Sequence, residues 1–312
     1  MTSPPEIPDA VLLTTLGGPR APDEIRPFVE AVTRGKPIPK ERLEEVVRHY
    51  EAVGGASPIH AITGRQAEAL RAALHTHGSP VPVHVGMRIG PPSIADALAR
   101  MAGDGVRRCV AVVLAAFRSD AGLGRYRESI AEAAAALGPR APAVEYVDPW
   151  FDHPLFIDAI EERIEDALAA LPEERRAKAA WLFTAHSIPA ASGGADTYQS
   201  DFRCAVDLVC DRLGRRERAL AYQSRSGSPR DPWLGPDVKE AIRAAAGQGT
   251  KDLLVIPVGF VADHVEVLYD LDLEARQLAE GLGVRMTRVP TPGDHPAFVA
   301  MLADLVRRRL GA

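Results

Sequence analysis

Eight short apolar runs rich in Val, Leu, Ile and Ala alternate along this chain with longer, alanine-rich stretches of helical period. A strand followed by a helix returns to its sheet as a parallel neighbour, through a right-handed crossover. The expected strands are Ala10–Leu16, Val81–Val85, Cys109–Ala115 and Val144–Val147, then Ala180–Ala185, Ala219–Gln223, Leu253–Val258 and Val284–Val289. Helical stretches between them include Gln66–Leu74, Ser93–Met101, Arg125–Leu137, Ile157–Leu171 and Val238–Ala246. Two sets of four predict an α/β protein of two doubly wound halves, each with a four-stranded parallel sheet. The pattern breaks at Asp148–Pro154, and no Gly/Ser-rich linker separates the halves, so they are expected to dock closely. The expected domains are residues 1–150 and 151–294, with 295–312 a C-terminal helix packing back on the first.

Composition narrows the function classes. Across 312 residues, 37 Lys and Arg against 42 Asp and Glu leave a net charge of −5. Such a chain has no global attraction for nucleic acid or anionic lipid. Aromatic residues make up only 5%, too few for a broad base-stacking platform. No apolar run approaches the roughly 18 residues of a membrane span, and MTSPPEIPDA lacks the basic and apolar regions of a signal peptide. A cytoplasmic protein is expected. Cys109, Cys204 and Cys210 follow no CxxC spacing, which argues against a disulfide framework. Cys109 reads as a core residue, and three cysteines cannot supply the four thiolates of an iron–sulfur cluster.

Ligands of such sheets bind beyond the carboxyl ends of the strands. The first strand runs into Leu16-Gly17-Gly18-Pro19, a tight turn that also lets a ligand approach the backbone. The fifth ends in Thr184-Ala185-His186-Ser187, placing His186 at the crevice as a metal ligand, proton carrier or structural histidine. The seventh leads into Asp263-His264-Val265-Glu266 and a helix on which Glu266, Asp270 and Glu274 stand four apart on one side. Such a row suits a cation in front of it. The competing structural reading makes Asp263 an N-cap with Glu266 as its capping-box partner, and the other acids a solvated face. One imidazole and one carboxylate suit a first-row divalent metal such as Fe2+, held briefly and passed on. The polar, turn-rich stretch Tyr222–Asp237 is either a binding loop or a surface loop anchored by Trp233.

These segments, in this order, resemble the ferrochelatases, the terminal metal-inserting enzymes of haem synthesis. The resemblance rests on LGGP at Leu16–Pro19, GGASPI at Gly54–Ile59, TAHSIP at Thr184–Pro189, YQSRSGSP at Tyr222–Pro229, PWLGPDV at Pro232–Val238 and PVGFVADHVEVLYDLD at Pro257–Asp272. It implies two Rossmann-like domains around a porphyrin cleft, and insertion of Fe2+ without redox change. His186 and Glu266 match the family's metal pair, and Asp270 and Glu274 its acidic ladder for metal or protons. The run Arg34–Ile59 is similar to the bacterial branch that uses coproporphyrin III. By that analogy Leu16, Arg34, His49, Tyr50, Ser57 and Tyr126 contact the porphyrin. Leu16 stands where many members of that branch carry an aromatic residue, and Thr33 where some carry a basic one. The stretch Gly86–Ser93 resembles that of protoporphyrin-using enzymes.

The resemblance further implies Fe2+ as substrate, no tightly bound cofactor, no [2Fe–2S] cluster, and a monomer with transient partners from the haem pathway. Protoporphyrin IX is the alternative substrate. A chelatase for cobalt and sirohydrochlorin, and a porphyrin or haem carrier without catalysis, are the rival readings.

Overall fold

The computed structural model describes residues 7–35, 39–226 and 231–311. The first half runs β1 (Ala10–Thr15), α1 (Pro22–Thr33), α2 (Lys40–Ala52), α3 (Ile59–Thr76), β2 (Val83–Met87), α4 (Ile94–Gly103), β3 (Arg108–Val113), α5 (Arg125–Leu137) and β4 (Ala143–Tyr146). The second half begins with α6 (Pro154–Ala169), α7 (Glu173–Lys178), β5 (Ala180–His186), α8 (Ala195–Arg212), β6 (Ala219–Gln223), α9 (Val238–Gly247) and β7 (Asp252–Ile256). One continuous helix follows: α10 (Val265–Val267), a π-helical segment (Leu268–Ala275) and α11 (Arg276–Gly281). Then come β8 (Arg285–Arg288) and α12 (Pro296–Leu310).

Both sheets are four-stranded and wholly parallel, with the same strand order: β2-β1-β3-β4 and β6-β5-β7-β8. Every residue of β1 and of β7 is buried, as expected of parallel strands covered by helices on both faces. Helix starts are set locally. Ser93 with Asp96, and Asp237 with Glu240, form reciprocal capping boxes for α4 and α9.

The halves are not independent in packing. A single apolar cluster takes in Leu13 and Val112 of the first sheet, Phe183 and Ile256 of the second, and Phe298 and Leu302 of α12. Helix α12 lies against α3 and α6. Cys109 is fully buried.

This topology fixes where chemistry can occur. In each sheet the chain switches direction between its first and third strands, and the crevice opens at the carboxyl ends of that pair. In the second sheet those strands are β5, whose last residue is His186, and β7, which leads to Glu266.

Candidate metal site at the carboxyl ends of β5 and β7

His186 and Glu266, 80 residues apart in sequence, meet with Nε2 3.2 Å from Oε1. Each keeps about a third of its side chain open, 30% and 31% respectively. The other ring nitrogen of His186, Nδ1, faces the Ser187 carbonyl. A carbonyl and a carboxylate only accept hydrogen bonds, so both ring nitrogens donate and His186 is an imidazolium. The electrostatics agree. Burial alone lowers the histidine pKa, but the charge of Glu266 and its hydrogen bond override it and hold His186 up to about 9. Burial pushes Glu266 the other way, and His186 brings it down to about 2.

The consequence for a metal is specific. An ion bound at Nε2 would first have to displace that nitrogen's proton, while the bond from Nδ1–H to the Ser187 carbonyl would keep the remaining tautomer pointing Nε2 at Glu266. If this pair holds the ion, metal affinity of the porphyrin-free protein should rise with pH toward about 9, which metal titrations at several pH values check.

The surrounding loops hold this pair in place. The Tyr198 hydroxyl donates to the His186 carbonyl at 2.9 Å, and Gln223 Nε2 donates to the Glu266 carbonyl at 2.6 Å. The Trp233 segment pairs with the stretch just after His186: Leu234 N donates to Ile188 O and Ser187 Oγ to Leu234 O. It is thus a packed loop that buttresses His186. Residues 227–229 of the YQSRSGSP motif, with residue 230 after it, lie outside the described residues.

Gly259 sits directly against β5, where a Cβ would come within 2.7 Å of the Ala185 backbone. Gly259→Ala should therefore push on the strand end that carries His186. The expected cost is about 1–3 kcal/mol, with a loss of turnover beyond that of the unfolded fraction. Thermal denaturation and activity measured together check it.

The capping reading of Glu266 is overturned. The N-cap is His264, whose Nδ1 accepts from Glu266 N at 3.3 Å. Asp263 instead binds the Arg288 guanidinium, at 3.1 Å, and the Thr291 hydroxyl, at 2.9 Å. Arg288 also donates to Asp272 at 2.8 Å, so one cation ties the loop to the π-helical segment. The Glu266 carboxylate is free to serve His186, with His264 Nδ1 3.7 Å away. Burial lowers the His264 pKa below its ordinary value. His264 lies inside the PVGFVADHVEVLYDLD motif, which was the signal for it. Ser224 lies inside YQSRSGSP in the same way, whereas Tyr198 and Lys239 carried no signal.

The helix after Glu266 is π-helical from Leu268, not α-helical as the i, i+4, i+8 reading assumes. The wider turn changes the angle between positions four apart, yet Asp270 still feels the charges of both Glu266 and Glu274. Asp270 accepts from the Ser224 hydroxyl. Burial, with the charges of Glu266 and Glu274 and against the Ser224 hydrogen bond, pushes Asp270 up to about 7. Glu274 pairs with Lys239 at 3.2 Å.

The residues expected to touch porphyrin divide into groups. Tyr50 is buried edge-on against Phe28, in a cluster that includes Val265 next to Glu266. Tyr126 is buried beneath the Arg88 guanidinium, 5.7 Å from the ring centre. Burial raises both phenols, and the negative charge of Glu266 reaches both. His49 stacks on Tyr269 of the π-helical segment at 3.7 Å, joining α2 to the acidic side. Ser57 is buried beside Gly18, and Leu16 directly follows β1, half-buried. Arg34 is exposed at the end of α1, its side chain in no hydrogen bond or ion pair with a described residue. The Gly17 turn is tight, with φ +95°, but a Cβ there would strike the Ile89 carbonyl. The close neighbour that requires glycine at this turn is the chain's own backbone.

No helix among the described residues is long and apolar enough to cross a membrane. In the solved structures, the fold is similar to the sirohydrochlorin chelatase SirB from Bacillus subtilis subspecies spizizenii, in complex with cobalt. The TM-score is 0.57 at 14% identity, covering 97% of this chain and 95% of that one. Among curated proteins, the coproporphyrin III ferrochelatase of Mycolicibacterium smegmatis is 43% identical over 305 residues, 97% of this chain and 90% of that protein. The protein of the same name from Nocardia farcinica is 40% identical over 320 aligned positions, 97% of this chain and 91% of that protein. The ferrochelatase family model matches residues 8–310. With that match running through both sheets and both halves of the His186–Glu266 pair, the chain belongs to the ferrochelatase family, the metal-inserting enzymes of haem biosynthesis.

Proposed function

We propose that this enzyme inserts Fe2+ into coproporphyrin III, with His186 and Glu266 as the groups that hold the ion. The observation that carries the site is the 3.2 Å approach of His186 to Glu266 at the switch point of the second sheet. The substrate reading is supported by the names of the relatives at 40–43% identity.

In this reading the porphyrin lies between the two halves. Tyr50 and Tyr126 stand on the first-half side and His186 and Glu266 on the other. Leu16, Arg34, His49 and Ser57 complete the first-half contacts. The division into residues 1–150, 151–294 and a returning C-terminal helix belongs to the same reading, as do a cytoplasmic, monomeric enzyme and the lack of a bound cofactor.

The reaction exchanges two pyrrole protons for one Fe2+ with no change of oxidation state. Iron displaces the Nε2 proton of His186 as it sheds water. Glu266 balances the ion's charge and passes protons toward Asp270, whose pKa near 7 suits acceptance and release at neutral pH. Glu274 forms the outer rung.

The substrate test compares kcat/KM for coproporphyrin III and protoporphyrin IX under anaerobic Fe2+. Coproporphyrin offers four propionates in place of two, and each well-paired carboxylate contributes on the order of 1.5–3 kcal/mol. Coproporphyrin III should be preferred by roughly tenfold or more. A higher value for protoporphyrin IX would overturn the assignment.

A further inference from the structure

Behind the acidic row lies a polar chamber of about 100 Å³, walled by α2 on one side and by β6, α9 and the π-helical segment on the other. Asp270 stands in it, and Glu274 and Lys239 face each other across 3.2 Å. Arg42 and Glu45, on α2, satisfy one another at 2.8 Å. Gln223 also lines the chamber and is fully buried. Its Nε2 is committed to the Glu266 carbonyl, and its Oε1 has no hydrogen-bond partner among the described residues. A buried amide oxygen left open beside a row of carboxylates is a ready acceptor for the water shell of a cation.

Arg225 lines the chamber too, its guanidinium donating to the Asp231 carbonyl at 2.9 Å, whereas the Lys239 ammonium pairs with the acidic row itself. Lys239 occupies the second position of α9, next to the Asp237 cap, and reaches from there to Glu274. A hydrated divalent ion arriving at Glu274 meets an ammonium already in place. We propose that Lys239 is a tethered counter-ion that competes with the incoming divalent cation for Glu274, and so sets the iron concentration at which the acidic row loads. Lys239 is here a positioning residue: its ammonium pairs with Glu274, not with His186 or Glu266. The competition lets the chamber pass a cation inward without retaining it, because the ammonium returns to Glu274 as the ion leaves. This inference rests on the acidic row serving the metal, as proposed above.

The experiment is an anaerobic Fe2+ titration of wild type, Lys239→Gln, Glu274→Gln and the double variant. It is paired with Mn2+ binding to the porphyrin-free proteins, which reads the site without turnover. Both partners are partly exposed, at 39% and 41%, so the pair is weak. Lys239→Gln should lower KM for Fe2+ by about two- to fivefold and tighten Mn2+ binding by a like factor. The effect should fall on KM rather than kcat and fade at high ionic strength, as a screened charge does. Lys239→Arg should restore the wild-type KM. In the Glu274→Gln background the Lys239 substitution should do nothing further. Unchanged KM and Mn2+ affinity in Lys239→Gln would overturn the counter-ion role, as would an equal effect with Glu274 absent. If Glu274→Gln itself leaves KM unchanged, the acidic row does not serve the metal, and the underlying reading fails with it.

Discussion

His186→Ala should abolish metal insertion, by on the order of 1,000-fold or more, in a protein that remains folded. The side chain contributes to two things at once. Its Nε2 is the imidazole donor at the switch point of the second sheet, and its positive charge holds the Glu266 carboxylate ionised in a buried place. Truncation to alanine removes the donor and strands the carboxylate. Glu266 relieves that cost by taking up a proton, since burial raises its pKa once the imidazolium is gone. Stability should therefore change modestly while the proposed metal site is lost. The neighbouring strand keeps its register, because β5 is held by backbone pairing to β6 and β7 and by the buried Phe183. Circular dichroism and thermal melting should match wild type closely, and porphyrin binding should survive. Near-wild-type turnover in the folded variant would remove His186 from the reaction.

Glu266→Gln should cut turnover by about 100-fold or more with little loss of stability. Glutamine keeps the shape and removes the charge. His186 then loses the partner that holds its pKa near 9, and burial draws it down toward neutrality. The signs separate this variant from a simple loss of packing. If His186 holds the ion, iron binding at pH 7 displaces its proton, so in wild type apparent affinity should climb as pH rises toward about 9. In Glu266→Gln the imidazole is already free at lower pH, so that dependence flattens, yet the carboxylate that balances the ion is missing. Turnover should stay low at every pH. Asp270→Asn should be milder, slowing insertion and removing an inflection near pH 7. A Glu266→Gln enzyme with wild-type turnover would mean that the carboxylate neither binds iron nor moves protons.

The eight strands were legible because each is a compact apolar run bounded by turns. β6 matches its expected bounds, Ala219–Gln223, residue for residue, while β2 lies two residues further on than Val81–Val85. The arm formed by α1 and α2 was not among the helical stretches named. Its helices bury only narrow stripes, Ile25, Phe28 and Val29 on one and Val47 and Tyr50 on the other, and α1 carries Pro27 internally.

The His186–Glu266 pair was legible because both residues follow strands of one sheet. What they do to one another was not, since an ion pair depends on distance and burial that no spacing encodes. The π-helical turn was hidden for a similar reason: the i, i+4 pattern of the acids reads as α-helix until the hydrogen bonds are seen. Lys239 reaches Glu274 only because α9 packs beside the π-helical segment, a contact between positions 35 residues apart.

The most direct test of the account is a single-turnover experiment. Enzyme with coproporphyrin III already bound is mixed anaerobically with limiting Fe2+ in a weakly buffered solution near pH 7, and metalloporphyrin absorbance and released protons are followed together. The account predicts metalloporphyrin appearing with two protons released per iron inserted, and no product from the folded His186→Ala protein under the same conditions. Porphyrin that stays bound and metal-free in the wild-type enzyme, or insertion that proceeds equally without His186, would contradict it.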